Sequence, residues 1–205
     1  MIMKKIMFND KYGLTQAVLE GRKTMTRRAV PMHEYKYGFQ VWYDTETKQC
    51  CVCDGSFILE RSRYARGEVV AIAQSYETLA NSGTHQLEKM LCGQLSMKKE
   101  YSGAGYKNKM FVKAELMPHH IKITNIRIER LQDISDEDCL REGVDKYKNG
   151  KDIKFMVSGI MQKRGIHKSF RTPREAFAAL IDKVSGVGTW NSNPMVWVYE
   201  FELLH

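Results

Sequence analysis

The spacing of apolar positions changes along the chain, and each change marks an element. Ile2 to Phe8 is a short apolar run that reads as a strand. Asn9 or Asp10 can then cap a helix whose Leu14, Ala17 and Val18 share one face, and Gly21 suits the left-handed position that ends it. Val69 to Ala73 is a continuous apolar strand of the buried kind. Phe111 to Leu116 and Ile121 to Leu131 alternate like strands. In the second run Ile121 and Ile123 lie on one phase and Ile126 and Ile128 on the other, so a bulge or sharp bend is expected around Thr124-Asn125. Bends of that kind close small barrels. Ser135-Asp136-Glu137-Asp138 opens a short helix that ends at Gly143. Thr172-Pro173-Arg174-Glu175 opens another, with Phe177, Leu180, Ile181 and Val184 on one face and Gly186 as its stop. Met195, Trp197, Tyr199, Phe201 and Leu203 give a terminal strand one strongly apolar face.

Between these elements the pattern is weaker. Pro31 to Tyr64 reads as an inserted hairpin region rich in aromatics (Tyr35, Tyr37, Phe39, Trp42, Tyr43). From Glu77 to Lys109 only His85 to Leu91 suggests a short helix. Ser102-Gly103-Ala104-Gly105 is glycine-rich but lacks the P-loop spacing, which argues against a nucleotide cradle. Several strands with three brief helices predict a mixed α+β fold, a small β-barrel with short decorating helices. At 205 residues, one domain with insertions at about 31–64 and 145–171 is expected.

Composition narrows the class. With 43% hydrophobic and 27% charged residues the chain is ordinary for a folded soluble protein. No run of about 18 apolar residues exists and no signal peptide is visible, so a cytoplasmic protein without a membrane span is expected. Net charge is +8, and its placement matters more than its size. Between Asp145 and Arg171 there are eight Lys/Arg against two acids. Concentrated positive charge attracts phosphate backbones, although a basic loop kept for solubility would look similar. Five cysteines, an odd number, read as reduced thiols. Cys50 and Cys53 have the spacing of a metal knuckle, but a structural zinc wants four ligands and no second pair appears. His33, His119, His120 and His167 show no metal spacing either. No metal and no cofactor are expected.

Gly21-Arg22-Lys23-Thr24-Met25-Thr26-Arg27-Arg28 packs four cations and two hydroxyls into eight residues where the first helix should stop. A turn fixed by a packed helix would present them in a defined geometry to a polyanionic or polar ligand. A solvated Lys/Arg face is the plainer account.

Four blocks together resemble the ASCH domain family of the PUA-like β-barrel superfamily, especially its larger phage-associated members. The first is Leu19 to Arg28, similar to a Gly-x-Lys-x-x-(Glu/Thr)-x-Arg signature. The second is Tyr64-Ala65-Arg66-Gly67-Glu68-Val69-Val70, and the third runs from Met117-Pro118 through Arg130 to Ser135 and on to Glu142-Gly143-Val144. The fourth is Trp190-Asn191-Ser192-Asn193-Pro194 leading into Val196 to Phe201. The chain departs from the family pattern at Glu68, at Ala73-Gln74 and at His119-His120. The resemblance implies a cleft associated with RNA or modified nucleosides. Small members include an amidohydrolase that deacetylates N4-acetylcytidine, and its catalytic Lys, Thr and Glu map to Lys23, Thr26 and Glu142.

Those three side chains make chemical sense. A threonine hydroxyl needs a base, and a lysine serves as one when neighbouring cations such as Arg22, Arg27 and Arg28 lower its pKa. Glu142, at a helix end, should seek a cation, Lys23 or Arg28, or stay protonated and donate to a leaving amine. Equally, Lys23 and Arg28 would pair with Glu142 only to join two helix ends, with Thr24 and Thr26 bonding turn backbone. Arg22 and Arg27 read as solvated unless they meet phosphate. Trp190, beside Asn193, either stacks on a base or closes the barrel. The expected function is RNA or modified-nucleoside binding at a basic cleft formed by Arg22, Thr24, Arg27, Arg28, Trp190 and Asn193, with DNA as an alternative partner. The amidohydrolase is the second reading, and a phage or mobile-element assembly module the third.

Overall fold

Ala71 and Ile72 have no exposed surface, and their backbone N–H groups donate to the carbonyls of Lys4 (3.0 Å) and His119 (2.9 Å). In the computed structural model, which describes residues 3–31, 40–81, 104–161 and 167–204, these residues belong to the first of two compact units (Met1–Phe8, Val69–Ile121, Leu204–His205). Here strand β1 (Lys5–Ile6) pairs in parallel with β6 (Val69–Ile72), Lys5 opposite Ala71 and Ile6 opposite Ile72. Helix α2 (Tyr76–Asn81) follows, and Ala71, Ala73, Tyr76, Leu79, Val112, Ala114 and Met117 form the core.

The strand expected over Phe111 to Leu116 is absent. Two 3-10 turns, Lys109–Phe111 and Ala114–Leu116, stand there instead. Side chains have taken the backbone groups a ladder would need: Asn108 accepts from the Met110 N–H (2.9 Å) and the Tyr76 hydroxyl from the Lys113 N–H (2.9 Å). Lys5 Nζ donates to the carbonyls of Met110 (2.6 Å) and Val112 (2.5 Å). The short helix expected at His85 to Leu91 lies outside the described residues.

The second unit comprises Asn9–Glu68 and Lys122–Leu203. Asn9 caps a 3-10 turn (Asp10–Tyr12), Gly13 takes φ 65°, and α1 (Leu14–Leu19) buries Leu14, Ala17 and Val18 as its periodicity requires. Strand β10 (Met195–Leu204) lies between β7 (His120–Arg130) and β2 (Met25–Ala29). It therefore buries both faces: Val196 and Val198 are as enclosed as Trp197 and Tyr199. Along β7 the buried phase slips between Ile123 and Ile126, where the isoleucine spacing places it. The aromatic stretch contributes a three-stranded meander, β3 (Gln40–Asp44), β4 (Gln49–Cys53) and β5 (Ile58–Arg61), with Cys50 and Cys51 buried in its middle strand. Ser135 caps α3 (Asp136–Arg141) and Thr172 caps α4 (Pro173–Ser185), both as expected, and a short α5 (Thr189–Ser192) precedes β10.

The first part of the basic stretch is a hairpin. Strands β8 (Asp145–Asn149) and β9 (Asp152–Met156) pair across Gly150-Lys151. The architecture is mixed α+β, with ten strands among the described residues and no sheet among them closed into a barrel.

Candidate functional site

The basic run does not form one turn. Arg22 to Thr24 turn the chain after Gly21 (φ 72°), and from Met25 onward it is the strand β2. The Lys23 N–H donates to the Ala17 carbonyl (2.9 Å) and the Thr24 N–H to the Arg141 carbonyl (3.0 Å), which ties the turn to both α1 and α3. At the end of α3, Gly143 adopts φ 102°, and a Cβ there would lie 3.2 Å from Leu14 and 3.6 Å from the Lys23 side chain. That close approach delivers Glu142 to Lys23.

Lys23 Nζ donates to Glu142 Oε2 (2.6 Å), to the Glu142 carbonyl (2.7 Å) and to the Met25 carbonyl (2.7 Å). Its side chain is 1% exposed and that of Glu142 5%. Burial pulls the Lys23 ammonium below the ordinary lysine value, and the Glu142 carboxylate works against that pull.

The second oxygen of Glu142 accepts from Arg27 (3.0 Å), and a larger cluster begins there. Arg27 also reaches Glu129 (2.6 Å) and Asp138 (3.1 Å). Arg127 pairs with Glu129 (2.9 Å), Asp138 (2.7 Å) and Glu200. Arg141 pairs with Glu200 (2.8 Å) and donates to the Thr24 hydroxyl (3.2 Å). Burial opposes the charge on Arg27, but Glu142 and Glu129 outweigh it and hold its pKa above the usual arginine value. The expectation that Arg27 is solvated is therefore corrected: β2 turns it inward among three carboxylates. Sequence reasoning missed Arg127, Glu129, Asp138, Arg141 and Glu200. A signal existed in Asp138 and Glu142, four residues apart and so on one side of a helix, and in the alternation Asn125-x-Arg127-x-Glu129.

Thr26 does not face this cluster. Met25 Sδ lies 3.1 Å from the Arg27 guanidinium, so these two share a face of β2, and alternation sends Thr26 and Arg28 to the other. Thr26 sits directly opposite Tyr199, is 5% exposed, and its hydroxyl has no hydrogen-bond partner among the described residues. Burial pushes the Tyr199 phenol up to about 12. Arg28 is exposed.

The remaining expected ligand residues are occupied elsewhere. Arg22 pairs with Glu20 (2.6 Å) and with Asp145 (2.6 Å) at the root of the β8–β9 hairpin. Trp190 packs edge-on to Phe177 (6.2 Å between ring centres) beneath the Arg174 guanidinium (5.2 Å). Its carbonyl accepts from Gln132 Nε2 (2.8 Å), while Asn193, at φ 44°, accepts the Gln132 N–H (2.8 Å). Both hold a turn in place rather than face the Lys23–Glu142 pair.

On the hairpin, Lys146, Lys148 and Lys151 are exposed and Lys154 is half-buried. None of the four makes an ion pair among the described residues. No helix among the described residues is long and apolar enough to cross a membrane.

Fold and cluster together define a mixed α+β protein with an internally neutralised charge network and a basic hairpin. No family model, no curated protein and no solved structure matches the chain.

Proposed function

We propose that the chain is an ASCH-like protein of PUA-like architecture that binds RNA or a modified nucleoside through exposed basic surface. The observation that carries this reading is where the cations end. Lys23 and Arg27 meet carboxylates inside the fold and the half-buried Arg127 and Arg141 meet them at its edge, whereas Lys146, Lys148, Lys151 and Lys154 meet none among the described residues. Unpaired surface cations are the groups that neutralise phosphates and release counterions.

The amidohydrolase reading is favoured by one observation, the hydroxyl of Thr26, unpartnered among the described residues. Against it, the Lys23 ammonium donates to three acceptors and so offers no lone pair for proton abstraction, and Thr26 lies across the strand from Arg27.

The test is the salt dependence of affinity for a labelled RNA oligonucleotide, followed by fluorescence anisotropy from 50 to 200 mM salt. Replacing all four hairpin lysines with glutamine should flatten the log K against log salt slope by between about 1.4 and about 2.8, at roughly 0.7 for each phosphate left without its lysine. An unchanged slope, or no affinity in the parent protein, refutes the proposal. A stable protein complex with no RNA affinity would favour an assembly module instead.

A further inference from the structure

We infer that the β8–β9 hairpin takes single-stranded RNA lengthwise, with phosphates along β8 and bases over β9; this inference rests on the RNA-binding reading above. The register decides it. Lys146 stands opposite Phe155 and Lys148 opposite Ile153, and residues directly opposite in an antiparallel pair share a face. One face of the ribbon is thus divided along its length, with two cations on β8 and two apolar side chains on β9. The two lysines are about 6.8 Å apart along the strand, and each is about 5 Å from its apolar partner across it. A single backbone running along β8 would meet a cation at each alternate residue and lay its bases across β9.

The ribbon is anchored at one end and open at the other. At the root, Arg22 holds Asp145 (2.6 Å), while Phe155 exchanges backbone hydrogen bonds with Phe170 (3.1 and 2.8 Å). Toward the tip Lys148, Gly150, Lys151, Asp152 and Ile153 are all exposed, Ile153 by 48%. On the opposite face Tyr147 stands against Lys154, both half-buried.

Single strands are favoured over duplex because Ile153 needs an unstacked base to cover it. A duplex keeps its bases stacked and offers the ribbon phosphate and sugar alone.

The experiment compares an unstructured RNA oligonucleotide with the same sequence annealed to its complement, using the full chain and two variants. Ile153→Ser should weaken single-strand affinity about fivefold, the change that roughly 1 kcal/mol of apolar burial gives, with salt slope, melting temperature and duplex affinity unchanged. Lys146→Gln with Lys148→Gln should flatten the salt slope by about 1.4. Equal weakening for both RNA forms in Ile153→Ser, or none for either, overturns the lengthwise arrangement while leaving RNA binding intact. Absence of RNA affinity in the parent protein sinks the binding reading itself.

Discussion

Changing Glu142 to Gln tests whether the Lys23–Glu142–Arg27 cluster holds the fold together. The carboxylate gives one oxygen to Lys23 and the other to Arg27, and all three side chains are at most 5% exposed. An amide of the same shape keeps one acceptor but points N–H groups at a cation, and it removes the charge that both cations were desolvated to meet. Removing one member of a buried pair costs about 3–5 kcal/mol. At roughly 2–4 °C per kcal/mol for a chain of this size, melting should fall by about 10 °C. Lys23→Met should be similarly severe, because the Met25 and Glu142 carbonyls lose their donor along with the carboxylate. The double variant leaves Arg27 with Glu129 and Asp138, so it should be less damaging than the sum of the singles by about 2 kcal/mol. Urea unfolding of the four proteins, followed by circular dichroism, reads all these values. A Glu142→Gln protein within about 1 kcal/mol of the parent, or strictly additive singles, would refute the account. RNA affinity of the folded variants should be unchanged, since the cluster faces inward.

Three further outcomes follow from the structure. Incubation with N4-acetylcytidine should release no acetate, as assayed enzymatically; release that Thr26→Ala abolishes would replace the binding reading with the hydrolase one. Stability should fall between about pH 9 and pH 12, because burial pushes the Cys139 thiol and the Tyr199 phenol each up to about 12 in the folded protein, so the unfolded chain ionises first. Thermal melts across that range check the sign, and a rise in stability would contradict it. Gly159→Ala should destabilise by more than about 2 kcal/mol, since φ is 76° and a Cβ there would overlap the Lys11 carbonyl oxygen; an unshifted melting curve would show that the segment relaxes freely.

Elements whose signals are local could be read directly. The stops at Gly21, Gly143 and Gly186 and the caps at Ser135 and Thr172 each depend on a few neighbouring residues, and each stands where its chemistry puts it. Strand β2 was hidden because Arg27-Arg28 looks like solvent-facing charge. Its burial depends on Glu129, Asp138 and Glu142, more than a hundred positions away. The alternation of Phe111 to Leu116 misled for a similar reason, since Lys5 captures carbonyls that a strand would have used. The hairpin was legible in part. Asn149-Gly150 between lysine-aromatic alternations is a turn signal that the charge count obscured. The Lys23–Glu142 contact followed from the helix-end argument, whereas the placement of Thr26 on the opposite face of β2, buried against Tyr199, needed the register of β2 against β10.

The cluster, buried at Lys23, Glu142 and Arg27 and half-buried at its rim, sets four cations against four carboxylates, so the formal +8 of the chain is carried by groups outside it. Dissolved ions screen exposed charges over about 10 Å at 0.1 M and hardly reach dehydrated pairs. A concentrated salt wash should therefore strip a clinging polyanion during purification and leave the protein intact, letting the same preparation be emptied and recharged repeatedly.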